Sequence, residues 1–203
     1  GLIRYLYDKD ENLRFLRDAA RNAQNKFVYY KYDALGRKIE EGLYTDTLQF
    51  TQANADNAPF PTSGGAIQFI FRYDSTGGLP NYGRGRLASW KDASGKYHRR
   101  LAYDQLGRVS SENVKVDDTA TTLNYSYDWQ GNLKTLQTST KAVFPTIYYK
   151  YDMADRLIGV GTSTASYRYD SLLYWPWGGL KTQLFKTTAT AIGQALDYSY
   201  NPR

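Results

Sequence analysis

Aromatic and apolar residues recur at alternate positions in short runs, and each run ends in a cluster of turn-formers. Tyr5-Leu6-Tyr7 is followed by Asp8, Tyr30-Lys31-Tyr32 by Asp33, and Tyr125-Ser126-Tyr127 by Asp128. Side chains on a strand alternate between faces, so such runs predict half-buried strands. The exception is Leu13 to Phe27, where Leu13, Leu16, Ala20, Ala23 and Phe27 also fit a helical period. The surrounding frame favours a strand at Leu13-Arg14-Phe15-Leu16, a polar turn near Arg21-Asn22 and a strand at Phe27-Val28-Tyr29-Tyr30. Between Tyr44 and Gly65, Asn54, Asp56, Asn57, Pro59, Pro61, Ser63 and Gly64 mark an inserted loop over 44–65. It is longer than compact domains usually carry. A strand resumes at Ala66-Ile67-Gln68-Phe69-Ile70-Phe71.

The runs are copies of one unit. Tyr30-Lys31-Tyr32-Asp33-Ala34-Leu35-Gly36-Arg37 reappears as Leu101-Ala102-Tyr103-Asp104-Gln105-Leu106-Gly107-Arg108, and again from Tyr125 to Asp128 and Gly131. Partial copies stand at Tyr7-Asp8, Tyr73-Asp74, Tyr149-Lys150-Tyr151-Asp152 with Arg156, and Tyr167-Arg168-Tyr169-Asp170. A truncated eighth begins at Tyr198-Ser199-Tyr200-Asn201. The marker Asp or Asn falls at 8, 33, 74, 104, 128, 152, 170 and 201, in steps of 25, 41, 30, 24, 24, 18 and 31. A base period of about 24 fits two strands and two turns, so one repeat is a hairpin and its return.

Each residue type in the unit has a physical task. Tyr-x-Tyr puts two rings on one face of a strand. Asp-x-x-Gly suits a type I turn, whose Asp accepts from a backbone amide two residues on and whose Gly takes the left-handed bulge position. Glu11 in the first copy makes that turn degenerate, whereas Asp155 in the sixth tolerates positive φ. After Asp74 the turn is expanded, with Gly85-Arg86 arriving late. Arg37, Arg108 and Arg156 follow their turns closely enough to pair with the turn Asp, at about 0–1 kcal/mol if exposed. A lone hairpin cannot bury its aromatic face, so successive hairpins must lie side by side. The fold class expected is all-β: antiparallel hairpins in one long twisted sheet, a single segment over 1–203. Edge strands left bare would be open to self-association.

Composition agrees with sheet and turns: 20 Tyr, 17 Gly and 16% aromatic residues in 203. The mean hydropathy of −0.63 and the lack of a long apolar run exclude a membrane span. There is no Cys, which removes thiol chemistry and cysteine-bound zinc. The net charge is +6, but Lys and Arg are spread along the repeats rather than gathered in a run. A solvated basic surface is therefore expected, and nucleic acid is not an expected partner.

Little here points to catalysis. His98 is the sole histidine and reads as a strand-surface residue. The repeated Asp residues are explained by their place at the head of a turn. No cofactor, metal or catalytic residue is expected. Gly83-Arg84-Gly85-Arg86 lacks the Lys-Ser/Thr and helix start of a phosphate loop. Asn124-Tyr125-Ser126 is a formal glycosylation sequon placed on a strand, and Asp117-Asp118 is a solvated turn. Trp175-Pro176-Trp177-Gly178-Gly179 suits turn packing or, as the sharper reading, a stacking platform for sugars through Trp175 and Trp177.

Tyr-x-Tyr-Asp-x-x-Gly-Arg at this period resembles the tyrosine–aspartate (YD) repeat of the rearrangement-hotspot (Rhs) family. It is similar also to repeats of toxin-complex subunits, wall-associated proteins and teneurins. The resemblance runs from Tyr5 to Asn201. It implies hairpins that spiral into a shell or barrel, which in polymorphic toxins encloses a toxic domain. The resemblance implies that many Rhs members end in a core whose aspartate residues carry out self-cleavage; Leu196 to Asn201 reads as only another repeat start, so this stretch is expected to be wall rather than processing site or toxin domain. The Gly start and the stop at Pro202-Arg203 are those expected of a piece of a longer chain. The expectation is a non-enzymatic wall segment, bacterial and secreted or surface-bound, whose partner is the rest of its polypeptide or a toxin cargo. The alternative is an extracellular adhesion module that binds glycans or another protein.

Overall fold

The computed structural model describes residues 2–74, 82–139, 144–162, 167–170, 172–186 and 192–200. The chain is all-β, and it divides into two compact units. The first comprises 1–107 and 113–120, the second 108–112 and 121–203.

In the first unit the strands are β1 (Arg4–Tyr7), β2 (Leu13–Arg17), β3 (Lys26–Tyr32), β4 (Lys38–Thr45), β5 (Gly65–Tyr73), β6 (Leu87–Asp92) and β7 (His98–Tyr103). They lie side by side in chain order, each antiparallel to the next, as an open succession rather than a closed ring. Strand β8 (Val109–Val116) and the start of β9 (Thr119–Tyr127) are divided between the units. The second unit continues with β10 (Leu133–Thr138), β11 (Ile147–Tyr151), β12 (Leu157–Gly161) and β13 (Tyr167–Asp170), again in chain order. It also holds a three-stranded antiparallel sheet of β14 (Leu172–Tyr174), β15 (Leu180–Lys186) and β16 (Ile192–Asp197).

Leu13 to Phe27 forms strand, connection and strand, as the repeat frame requires. The connection is one turn of helix, α1 (Ala19–Ala23), and Asp18 caps it by accepting from the Arg21 amide. A five-residue helix has no tertiary need to extend, so strand pairing overrode the helical period.

The insertion after β4 is ordered. It contains a 3₁₀ turn at Thr47–Gln49 and a short helix, α2 (Gln52–Ala55), before β5 begins at Gly65. Phe50, Ala55 and Phe60 pack on Phe15, Phe27 and Tyr29, the most deeply buried rings in the described chain. Ring centres of Phe15 lie 4.9 Å from Phe27 and 5.7 Å from Phe60. Arg14, only 2% exposed, fastens this cover. Its guanidinium donates to the carbonyls of Ala55 (2.9 Å), Asn57, Ala58 and Phe60 (2.9 Å) and to Tyr30 O (2.8 Å). Five carbonyls satisfy the buried cation.

Tyr29 lies flat beneath two glycines. A Cβ on Gly42 would come within 2.6 Å of its ring, and one on Gly65 within 2.8 Å of its hydroxyl. The hydroxyl donates to Glu40 Oε1 at 2.9 Å, and Lys31 Nζ holds the same oxygen at 3.0 Å. Burial, and then the bond to Glu40, push the phenol above its ordinary range.

Candidate functional site

The recurring feature is the turn and what grips it from the next repeat. In the second repeat the Gly36 amide donates to Asp33 O and the Asp33 amide to Arg37 O, both at 3.0 Å. The Asp33 carboxylate accepts from the Leu35 and Arg37 amides at 2.9 and 3.0 Å. Gly36 sits at φ +72, and pairing slips by one residue between Lys31 and Tyr32. This is a type I turn with a glycine bulge. The same bonds recur at Asp8, Asp128 and Asp152, and in part at Asp104 with Leu106 and Gly107. Glu11, against expectation, keeps the turn fully formed: it adopts φ +62, and its amide donates to Asp8 O. Asp155 does the same at φ +58. At Asp74 the expanded turn closes through Gly85, whose amide donates to Asp74 Oδ1 at 2.6 Å.

Most Tyr residues that precede a turn reach back one repeat. The hydroxyl of each donates to the carbonyl of the residue that opens the previous return strand. The pairs are Tyr32 with Leu13 (2.7 Å), Tyr73 with Lys38 (2.9 Å), Tyr103 with Leu87 (2.7 Å) and Tyr127 with Val109 (2.8 Å). Where the previous turn carries an Arg, it stacks over the reaching ring. Guanidinium carbons lie 4.5 Å from the Tyr73 centre (Arg37), 5.5 Å from Tyr103 (Arg86), 4.4 Å from Tyr127 (Arg108) and 4.9 Å from Tyr174 (Arg156). Burial holds the Tyr32 phenol up at about 12, so the hydroxyl keeps its proton to donate.

Arg37 joins two repeats by charge as well. It bonds Asp33 Oδ2 at 2.7 Å and both oxygens of Asp74 at 3.1 and 2.8 Å. That fork, followed by the Gly85 amide, brings the Asp74 carboxyl down to about 2. Arg156 grips Asp152 at 2.7 Å in the same way.

The seventh turn is not where the marker Asp suggested. Asp170 lies within strand β13, opposite Gly159. The turn bonds instead run from Trp175 N to Gly179 O (2.7 Å) and from Gly178 N to Trp175 O (2.9 Å). Tyr174 makes the reach-back, to Leu157 O at 2.6 Å, and Tyr200 makes the next one, to Leu180 O at 3.0 Å. Pro176 pre-sets φ at the second turn position and Gly178 supplies φ +93, so no Asp is needed. The spacing from Tyr174 to Gly178, equal to that from Tyr32 to Gly36, was the available signal.

The remaining sites find plain places. Tyr30, Tyr149 and Tyr151 are half-buried, Tyr7 is exposed, and Tyr125 donates to Glu112 at 3.2 Å. The backbone of Tyr167 and Tyr169 lies in β13; their side chains and Asn201 fall outside the described residues. His98 Nε2 lies 3.0 Å from Asn113 Oδ1. Trp175 and Trp177 stack with ring centres 5.0 Å apart and planes 5° from parallel, with Lys181 Nζ 4.6 Å from the Trp175 centre. No group of His, Cys, Asp or Glu fit to hold a metal occurs among the described residues.

Residues 90–175 match the family model of the teneurin YD-shell. Over that stretch the repeats are similar to those of the YD-shell. No curated protein matches the chain. Two solved structures, TcdB2-TccC3-Cdc42 and TcdB2-TccC3-TEV, each superpose on 99% of it with a TM-score of 0.65 and 15% identity. The chain spans 11% of the length of either of those chains.

Proposed function

We propose that this chain is one stretch of the wall of a larger YD-shell, and that the wall encloses or presents another part of its polypeptide, such as a toxin domain. The observation that carries this is the reach-back of Tyr32, Tyr73, Tyr103, Tyr127, Tyr174 and Tyr200, which makes one repeat the docking edge for the next. An array built this way extends by addition and needs no ligand to order it. The turn aspartates give their oxygens to backbone amides and arginines, which favours a wall over an enzyme. The likeness to the TcdB2-TccC3 structures is one of fold; a place beside other polypeptide segments, secreted or at a bacterial surface, is part of this proposal. Cryo-electron microscopy of the full natural protein tests it. Density for a second segment held within the sheet that contains these repeats is the expected result; a sheet with both faces open to solvent would overturn it.

The Trp175–Trp177 stack favours a second reading, an adhesion surface. Trp177 is 68% exposed and could take a sugar ring on its outer face. Retention on a glycan array that disappears in Trp177→Ala supports this, and no retention at physiological salt removes it.

A further inference from the structure

The basic residues that lie scattered along the chain meet on one face of β5, β6 and β7. Residues directly opposite one another across strands share a face. Arg72 stands opposite Ser89, and Ser89 opposite Arg100. One row along, Ile70 stands opposite Lys91, and Lys91 opposite His98. The two rows are two residues apart on every strand, so both project from the same side. His98 reaches Asn113 on β8 at 3.0 Å, and Lys115, two residues on, extends the face with its Nζ 3.3 Å from Gly95 O.

Arg72, Lys91 and Arg100 are exposed and make no ion pair among the described residues. On this side Glu40 stands opposite Ile70, and it is already held by Lys31 and the Tyr29 hydroxyl. Asp92 stands opposite Phe69 on the other side, where its carboxylate accepts from the Tyr97 amide and the Ser94 hydroxyl.

We propose that this face of β5–β7 docks an extended, carboxylate-rich segment of polypeptide. Charge complementarity names the partner, and spacing selects among anions. Arg72 and Arg100 are two strands apart, roughly 10 Å at the backbone, with Lys91 one row away at roughly 7 Å. An extended peptide places the carboxylates of alternate residues roughly 7 Å apart, which matches the rows. Two arginines supply planar forks suited to carboxylates. A single-stranded nucleic acid would want aromatic rings between the cations for its bases. Ser89, Ile70 and half-buried His98 offer no such platform. The surface does not depend on the shell reading; if both hold, the acidic segment belongs to the polypeptide that the wall meets.

The test uses the whole chain and a fluorescent peptide with glutamate at alternate positions, followed by anisotropy at physiological salt. The triple variant Arg72→Gln/Lys91→Gln/Arg100→Gln is compared with Arg4→Gln/Lys9→Gln/Lys134→Gln, which removes the same charge from exposed positions elsewhere. Circular dichroism establishes that both fold. The proposal expects about a tenfold or greater loss of affinity in the first variant and less than about twofold in the second. Equal losses in both would reduce the effect to net charge and overturn it. So would absence of binding by the parent chain. Tighter, patch-dependent binding of single-stranded DNA, a sulfated oligosaccharide or phosphatidylserine vesicles would overturn the choice of a peptide. Enclosure seen by microscopy with no peptide binding would leave the wall standing and remove only this surface.

Discussion

The two units use the same repeat and stabilise it differently. In the first, Phe15, Phe27 and Tyr29 are sealed beneath Phe50, Ala55 and Phe60 of the insertion, and Arg14 locks the cover through five carbonyls. In the second, no large side chain among the described residues is fully buried. What recurs there is the ladder: Tyr127 on Val109 O, Tyr174 on Leu157 O, Arg108 over Tyr127 and Arg156 over Tyr174. One face of a single sheet stays wet unless something is laid on it. The ladder keeps repeats in register, and a core needs a cover that the repeat does not encode.

The contrast can be broken most sharply at Arg14. Arg14→Met should destabilise the first unit by about 3 kcal/mol, because several buried carbonyls lose their donor. Peptide-resolved hydrogen exchange should show 46–64 and β2–β3 losing protection while β9–β12 keep theirs. Equal loss in both would show that the cover is not local. Next comes Gly42→Ala, whose Cβ would press on the Tyr29 ring; about 2 kcal/mol should be lost in urea unfolding. Adding Tyr29→Leu should recover part of it, and no recovery would place the strain elsewhere.

In the second unit, Tyr127→Phe keeps the ring beneath Arg108 and removes only the bond to Val109 O. About 1 kcal/mol of local stability should go, read as faster exchange in β9 and β10. Glu11→Gly should add roughly 1 kcal/mol or less, by relieving a left-handed conformation that only glycine adopts freely; calorimetry would register a higher Tm. The smallest effect appears only in acid. The Asp74 carboxyl is held at about 2, below its ordinary 3.8, so its contribution is complete above that value and fades as pH falls towards 2. Asp74→Asn should flatten this part of the acid unfolding curve, and an unchanged curve would mean that Arg37 does not stabilise the fold through Asp74.

Much of the architecture was legible because it is local. Strand alternation, the turn at Asp33–Gly36 and the stacking of hairpins in chain order follow from period, turn chemistry and the need to pair edges. The Arg beside each turn was read as a partner for its own Asp, and Arg37 and Arg156 are that. Its second role, lying on the next repeat's Tyr, was hidden because the two residues are 17 to 36 positions apart in a chain of uneven steps. The marker Asp misled at Asp170 for a related reason. A turn is defined by backbone bonds and a residue of positive φ, and Trp175-Pro176-Trp177-Gly178 meets both conditions without Asp.

By itself, then, the sequence determined that hairpins form, where most of them turn and in what order they stack, because those choices are settled within a few residues. Only the tertiary structure decided which face is covered, that Arg14 holds the cover, and that Arg72, Lys91 and Arg100 stand together. Those depend on register between strands, and register brings distant positions to one face through pairings that no short stretch contains.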